Sequence, residues 1–374
     1  MKNSALMDLY SDYLLTSFKF STAVGMSKML DGNLSHDQIS RFLAQDEFTQ
    51  KDYWRFIKPI VRSIEQAEAV ICVDDFIVPK PHSTMNDMIN YHFDHSSGEN
   101  IKGINILSFV YHTTQTDVQL PIAFEIVTKP DRYIDKKTGK EKRRSEISKN
   151  ELFRQRLSTL TQRNHVPYAY VLFDTWFCAN ENLQLIHEQL KKFFVTAIKA
   201  NRKVALSEQD KLRGKFHHVN DLDLQPASPV KVWIKGLSFE VLLCKHIFTN
   251  KDGSTGVLYL ISNDTKLTNE ELPTIYHKRW KVEEFHKSAK QNASLGQSPT
   301  KYELTQSNHI FCSMISVCKL ELLKIKSGKN HFAIKSHLYI KAVKAAFEEL
   351  QWMKLHFKQL NLPFKPAEPL LALQ

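Results

Sequence analysis

The spacing of apolar positions changes along the chain, and each change marks a different kind of element. Up to about Glu65 the apolar residues recur at helical intervals. Ser21 to Leu30 is a short amphipathic stretch, Asp31-Gly32-Asn33 interrupts it, and Ser35 with Gln38 has the form of a capping box opening a second helix through Gln45. In that helix Ile39, Phe42 and Leu43 share one face and His36, Gln38, Arg41 and Gln45 the other. The spacing fits a helix-turn-helix offering Gln38 and Arg41 to a DNA groove, and equally an ordinary helical hairpin. The unbroken apolar run from Ala69 to Asp75 then predicts a strand covered on both faces. Ile101–Tyr111 and Val118–Val127 predict two more strands, joined by the polar turn Thr113 to Asp117.

The pattern next alternates between helix and strand: a helix over Lys149–Arg163, a strand over Tyr168–Phe173, a helix over Asn182–Lys192 and a strand over Phe193–Ile198. From about Ala200 to Asp264 the rhythm turns β-rich, with strands predicted at Val230–Ile234, Phe239–His246 and Gly256–Ser262. A helix over Asn269–Lys290 follows, then helices around Gln306–Ile325 and Phe332–Met353, and an extended tail at Leu362-Pro363-Phe364-Lys365-Pro366. Three strands, a helix, a strand, a helix and a strand is the order of a ribonuclease H-like core. The predicted fold class is therefore α/β, a mixed sheet core with a β-rich insertion and helical N- and C-terminal parts. The expected division is 1–65 helical, 66–199 the first part of the core, 200–265 the insertion, 266–330 the second part of the core and 331–374 a C-terminal helical region. Asp75 and Asp174 each end an apolar run, and neighbouring parallel strands would bring both carboxylates to the edge where open α/β sheets bind ligands. The doublet Asp74-Asp75 leaves two residues for the first position, of which Asp75 is preferred.

Charge narrows the partner. The chain has 374 residues, a formal net charge of +11 and a pI near 9.2, which favours a polyanion. A membrane surface fits less well: Asp8 and Asp12 interrupt the first apolar segment, which is not a signal peptide, and Ile310–Val317 is short enough to be a core helix. The five cysteines, without C-x-x-C spacing, point to reduced thiols and a cytoplasmic protein, with neither a disulfide framework nor a zinc site. His92, Asp94 and His95 form an H-x-D-H cluster that lacks further ligands at zinc-like spacing and reads as incidental. Lys129 to Arg144 is a strongly basic loop that reads as a solvated turn or, preferred here, as a contact for the DNA backbone.

The densest chemistry lies in Tyr276-His277-Lys278-Arg279-Trp280-Lys281-Val282-Glu283-Glu284-Phe285-His286-Lys287-Ser288-Ala289-Lys290. On one continuous helix, Tyr276, Arg279, Glu283, Lys287 and Lys290 fall within a sector of roughly 80°. One carboxylate among three cations and a phenol suits a metal-assisted phosphodiester site, and it also suits a solvated helix of i,i+4 ion pairs. The run fits Y-x-x-R-x-x-x-E-x-x-x-x-x-x-K and, with Asp75 and Asp174 ahead of it in order, resembles the Y-R-E-K signature of the insertion-sequence-4 family of DDE transposases. Phe76 departs from that family, which usually carries Thr after the first acid.

The resemblance implies a ribonuclease H-like catalytic core in which Asp75, Asp174 and Glu283 bind two Mg2+ ions, with Mn2+ as a substitute. It implies that Tyr276, Arg279 and Lys290, with Lys287 beside them, hold phosphates of the transposon end. The expected activity is cut-and-paste transposition by strand cleavage, a hairpin intermediate and strand transfer. The partners are double-stranded DNA, as terminal inverted repeats and target, and a second copy when two ends are paired. Tyr259, on the strand leading to the signature helix, is the nearest aromatic candidate to stack an unpaired base, with Trp233 second, and it reads equally as a strand tyrosine packed in the insertion's own core.

Overall fold

The computed structural model describes residues 4–94, 97–249 and 252–357; the predicted tail from Leu362 to Pro366 lies outside the described residues. The chain divides into two compact units, Met1–Glu321 and Leu322–Gln374.

The N-terminal helices are α1 (Ser4–Thr16), α2 (Ala23–Met29), α3 (His36–Gln45) and α4 (Gln50–Ile64). Local capping starts three of them. Thr22 Oγ1 accepts the Gly25 N–H, and both halves of the Ser35–Gln38 capping box form, at 3.2 and 2.9 Å. Thr49 and Asp52 make a second box at α4. Ile39, Phe42 and Leu43 are buried, as are Tyr53, Ile57 and Val61 four residues apart on α4.

The sheet strands begin with β1 (Val70–Pro79), β2 (Asn90–Asp94), β3 (Glu99–Thr113) and β4 (Val118–Val127). A separate hairpin, β5 (Asp131–Ile134) with β6 (Glu141–Arg144), stands where the sequence predicts a basic loop. Its turn closes because the Asp135 carboxylate accepts the N–H groups of Lys137 and Thr138, both at 2.9 Å, while Gly139 takes a φ of +65° that other residues rarely adopt. Then come α5 (Lys149–Ser158), β7 (Tyr170–Phe173), α6 (Asn180–Gln184), β8 (Phe193–Ile198), β9 (Lys203–Ala205), α7 (Glu208–Leu212), β10 (His217–His218), β11 (Val230–Ile234), β12 (Val241–Thr249) and β13 (Thr255–Ser262).

In the large sheet the order is β10-β9-β11-β12-β13-β8-β7-β1-β3, with β2 and β4 both pairing with β3. β1, β7 and β8 are parallel neighbours, and β3 runs antiparallel to β1. This mixed sheet is consistent with a ribonuclease H-like fold. The strands between Ala200 and Asp264 continue the same sheet: β13 hydrogen-bonds antiparallel to β8, with Leu260 opposite Ala197, and so covers an edge that β8 would otherwise expose.

The helix predicted over Asn269–Lys290 is broken. α8 (Glu271–His277) passes through a 3₁₀ turn at Lys278–Trp280 into α9 (Lys281–Asn292). At the break the Lys278 carbonyl accepts the Cys72 thiol of β1 across 3.4 Å. A 3₁₀ turn advances about 120° per residue, so the sector computed for one straight helix does not carry across it. α10 (Glu303–Ser327) follows. Its Asn308 donates to the carbonyls of Leu43 and Asp46, and His309 Nδ1 meets the Tyr10 hydroxyl at 3.0 Å. These contacts place the N-terminal helices in the same unit as the sheet. In the second unit, α11 (His331–Phe357) is a long helix. Among the described residues no helix is long and apolar enough to cross a membrane.

Candidate active site

Pairing between β1 and β7 sets the site. Val73 lies beside Phe173 in parallel register, so Asp74 and Asp174 each follow the last paired residue of adjacent strands, whose spacing is about 4.8 Å. Both carboxylates thus reach the same sheet edge. Burial pushes Asp74 up to about 7; the Asp174 charge adds to the rise and Arg279 opposes it. Asp174 is also raised by burial, against the pull of Arg279 and of the Trp176 and Phe177 N–H groups. Its Oδ1 accepts the Trp176 N–H at 3.0 Å, which caps a 3₁₀ turn over Thr175–Phe177.

Alternation along β1 separates the two members of the Asp74-Asp75 doublet. Cys72, Asp74 and Phe76 contact the α8–α9 segment: Cys72 reaches Lys278, Asp74 reaches Arg279 and Phe76 lies against His286 with ring centroids 4.0 Å apart. The Arg279 guanidinium spans Asp74 at 3.4 Å and Glu283 at 2.9 Å, and stands 5.8 Å from the Tyr276 ring centroid. Asp75 has other partners. Both its oxygens accept from Lys149 Nζ, at 2.8 and 2.9 Å, and Oδ2 accepts from Asn105 Nδ2 at 2.6 Å. Neither Lys149 nor Asn105 stands out in the sequence, because their relation to Asp75 exists only after β3 and α5 have packed beside β1.

A cleft of about 530 Å³ opens over these groups, lined by Asp74, Asp75, Glu283, Lys287, Lys290 and Asp94 among others. Burial lowers the Lys290 pKa, opposed by Asp94, and its ammonium lies 5.2 Å from the Phe76 ring centroid. Phe76 therefore packs against α9, edge-on to the Phe285 ring and beneath the Lys290 ammonium. His286 is held neutral by burial, and its Nε2 meets Ser108 Oγ at 2.9 Å.

Other residues singled out in the sequence lie apart from this cleft or beside it. Gln38 and Arg41 are exposed on α3, where Gln38 completes the capping box and Arg41 Nε donates to the Asp37 carbonyl at 3.3 Å. Tyr259 is within β13, half-buried against the core, with Lys245 and Ile198 as its strand neighbours. His92 and Asp94 belong to strand β2, while His95 lies outside the described residues. All five cysteines are unpaired and buried.

Asp74 gives a pH test that needs no metal. A carboxyl raised on folding stabilises the protein below its unfolded pKa near 4, and that contribution fades as pH rises through about 7. The melting temperature of Asp74→Asn minus that of the unsubstituted chain is therefore expected to grow more positive from pH 4 to pH 8. A flat difference would show that Asp74 is not buried in this way.

The all-carboxylate donors suit a hard divalent cation, and the Asp174 charge that adds to the rise of Asp74 is a repulsion that a cation would relieve. Among the described residues, however, no group of three or more His, Cys, Asp or Glu side chains is arranged to hold a metal ion. Arg279 takes the position between Asp74 and Glu283.

Comparison with curated proteins finds no match. Among solved structures, endonuclease V from Bacillus subtilis is similar at 10% identity and a TM-score of 0.23, covering 65% of this chain and 95% of that one, a likeness too low to support an argument. The DDE superfamily endonuclease family matches residues 2–216, a span that includes Asp74, Asp75 and Asp174 and ends before Glu283. With more than half its length inside that match, the chain belongs to the DDE superfamily endonucleases.

Proposed function

We propose that the chain is a cut-and-paste DNA transposase whose chemistry is carried by Asp74, Asp174 and Glu283. The observation that carries this reading is the Arg279 guanidinium, which joins the β1 aspartate to the α9 glutamate beside the β7 aspartate. We prefer Asp74 to Asp75 as the first acid, because Asp74 shares Arg279 with Glu283 whereas Asp75 is held by Lys149 and Asn105. DDE-type nucleases generally use divalent metal ions, and these three acids would hold Mg2+ or Mn2+. When bound, such ions activate the attacking water or 3′-hydroxyl and stabilise the leaving oxygen.

The remaining work falls to cations and backbone. Lys287 and Lys290 line the cleft at the distance of one and two helical turns from Glu283 and meet phosphates of a DNA strand laid across it. Arg279, which lies between Asp74 and Glu283, would have to leave them for a metal ion to enter, and its guanidinium would then be available to phosphate. Gln38 and Arg41 on α3 and the basic hairpin β5–β6 add duplex contacts, and two copies act on two paired ends.

The test is the full chain with Mg2+ and a DNA fragment carrying the element's own ends. Cleavage followed by joining to target supports the transposase. Cleavage without joining makes it an endonuclease that does not transfer strands, and no cleavage makes it a silent DNA-binding copy. In the same assay Arg279→Ala and Lys290→Ala are each expected to lose about tenfold or more, the equivalent of one charge-assisted contact. Melting of the Lys290→Ala chain is expected to stay close to that of the original. Near-normal cleavage by both variants would return this helix to a surface of ion pairs.

A further inference from the structure

Beside Asp174, and apart from the acid cleft, lies a second cavity of about 550 Å³. Its charged lining is cationic throughout: Lys199, Arg202, Lys203 and Lys235, with no carboxylate among the described lining residues. Trp176 forms part of the wall with 48% of its surface exposed. The walls continue directly from the ends of β7 and β8. The turn at Thr175–Phe177 carries Trp176, a turn closed by the Arg202 N–H on the Lys199 carbonyl at 3.0 Å carries Lys199 and Arg202, and Lys203 and Lys235 come from the start of β9 and from just after the end of β11.

The cavity is also braced. Asn180 Nδ2 donates to the Lys235 carbonyl at 3.0 Å, and its Oδ1 accepts from the Arg202 guanidinium. Gly236 makes room for this: a Cβ there would stand 2.5 Å from Asn180 Nδ2, and its φ of +92° already favours glycine. The Trp176 ring is held from the side of the acids, since the Lys149 ammonium that binds Asp75 lies 4.8 Å from its centroid.

A half-exposed indole among four cations matches a ligand with a flat aromatic ring and several negative charges. Bases inside a duplex are stacked on both faces and offer none to a side chain, whereas each unpaired nucleotide presents both a base face and a phosphate. We propose that this cavity binds unpaired DNA, with a base against Trp176 and the adjoining phosphates against Lys199, Arg202, Lys203 and Lys235. The inference rests on the reading of DNA as substrate and deepens it: the strand beside Asp174 is held open.

The experiment measures binding of a fluorescent ten-nucleotide thymidine oligomer, and of a duplex of equal length, to the full chain without divalent metal. Trp176→Leu is expected to weaken the single strand by about fivefold or more while changing duplex binding less than about twofold, and Trp176→Phe to restore most of the loss. Lys199→Ala combined with Lys235→Ala is expected to reduce the salt slope for the oligomer by about 1.4, at about 0.7 per phosphate contact. Unchanged oligomer binding by Trp176→Leu, equal losses for oligomer and duplex, or a Phe variant as weak as the Leu variant would each overturn the proposal. Cleavage of element ends by the unsubstituted chain is scored separately. Cleavage without any Trp176 dependence of oligomer binding rejects the cavity and keeps the transposase reading, and Trp176-dependent binding by a chain that never cuts DNA does the reverse.

Discussion

Asp74→Asn is expected to reduce metal-dependent DNA cleavage by about a thousandfold or more, and Asp75→Asn by about ten- to a hundredfold. The two residues are adjacent in sequence but face opposite sides of β1. Asp74 shares Arg279 with Glu283 and feels the charge of Asp174, so its loss removes a donor from the group proposed to carry the chemistry. Metal stabilisation of a transition state is worth several kcal/mol, and about 1.4 kcal/mol corresponds to tenfold in rate. Asp75 acts through Lys149 and Asn105. Its loss strips a part-buried ammonium of its partner and loosens the wall of the cleft, an effect of the size seen when groups outside the ligand set are changed. The measurement is the initial rate of cleavage with Mg2+, alongside the melting temperature. An Asp75 variant that is dead beside an active Asp74 variant would reverse the assignment.

Glu283→Gln is expected to have an effect as large as Asp74→Asn, while Glu284→Gln keeps cleavage within about tenfold of the original. This comparison tests the acid that lies beyond the matched family span. Glu283 reaches Arg279 at 2.9 Å and lines the cleft, whereas Glu284 accepts from Gln119 at 2.6 Å and from Lys281 at 3.0 Å. A glutamine retains the length and shape of glutamate but loses its charge, so the contrast reads charge at one position. Direct cation titration of the full chain adds a second readout: weaker Mg2+ binding is expected for Glu283→Gln and unchanged binding for Glu284→Gln. Equal behaviour of the two variants would remove Glu283 from the site.

Much of the architecture is legible from local pattern, because its causes are local. The capping box at Ser35–Gln38 depends on residues three apart, and it forms as the pattern predicts. The apolar run ending at Asp74-Asp75 is a central strand for the same reason: a strand covered on both faces needs apolar residues at every position. The order of β1, β3, β4, α5, β7, α6 and β8 follows period and turn residues, and it leads to the mixed sheet, while β2 falls where the sequence reads as a loop. Local pattern reads less well where a partner changes the outcome. The basic segment after Lys129 has little apolar alternation to mark it, yet it closes into a hairpin through Asp135. The helix around Arg279 looks continuous in sequence and is broken where the Lys278 carbonyl meets Cys72.

For the candidate site the division is sharper. Residue types and spacing single out two strand-end aspartates and a helical glutamate among cations, since alternation and helical period act within one element. Which member of Asp74-Asp75 faces Glu283 is decided by tertiary structure alone, because a two-residue period assigns opposite faces without saying what covers either. Packing of the α8–α9 segment on one face of β1 and of the α5 N-terminus on the other gives Arg279 to Asp74 and Lys149 to Asp75. The cationic cavity at Trp176 likewise gathers residues from the ends of β7, β8 and β11, about sixty positions apart, and no periodicity within one element can bring such residues together.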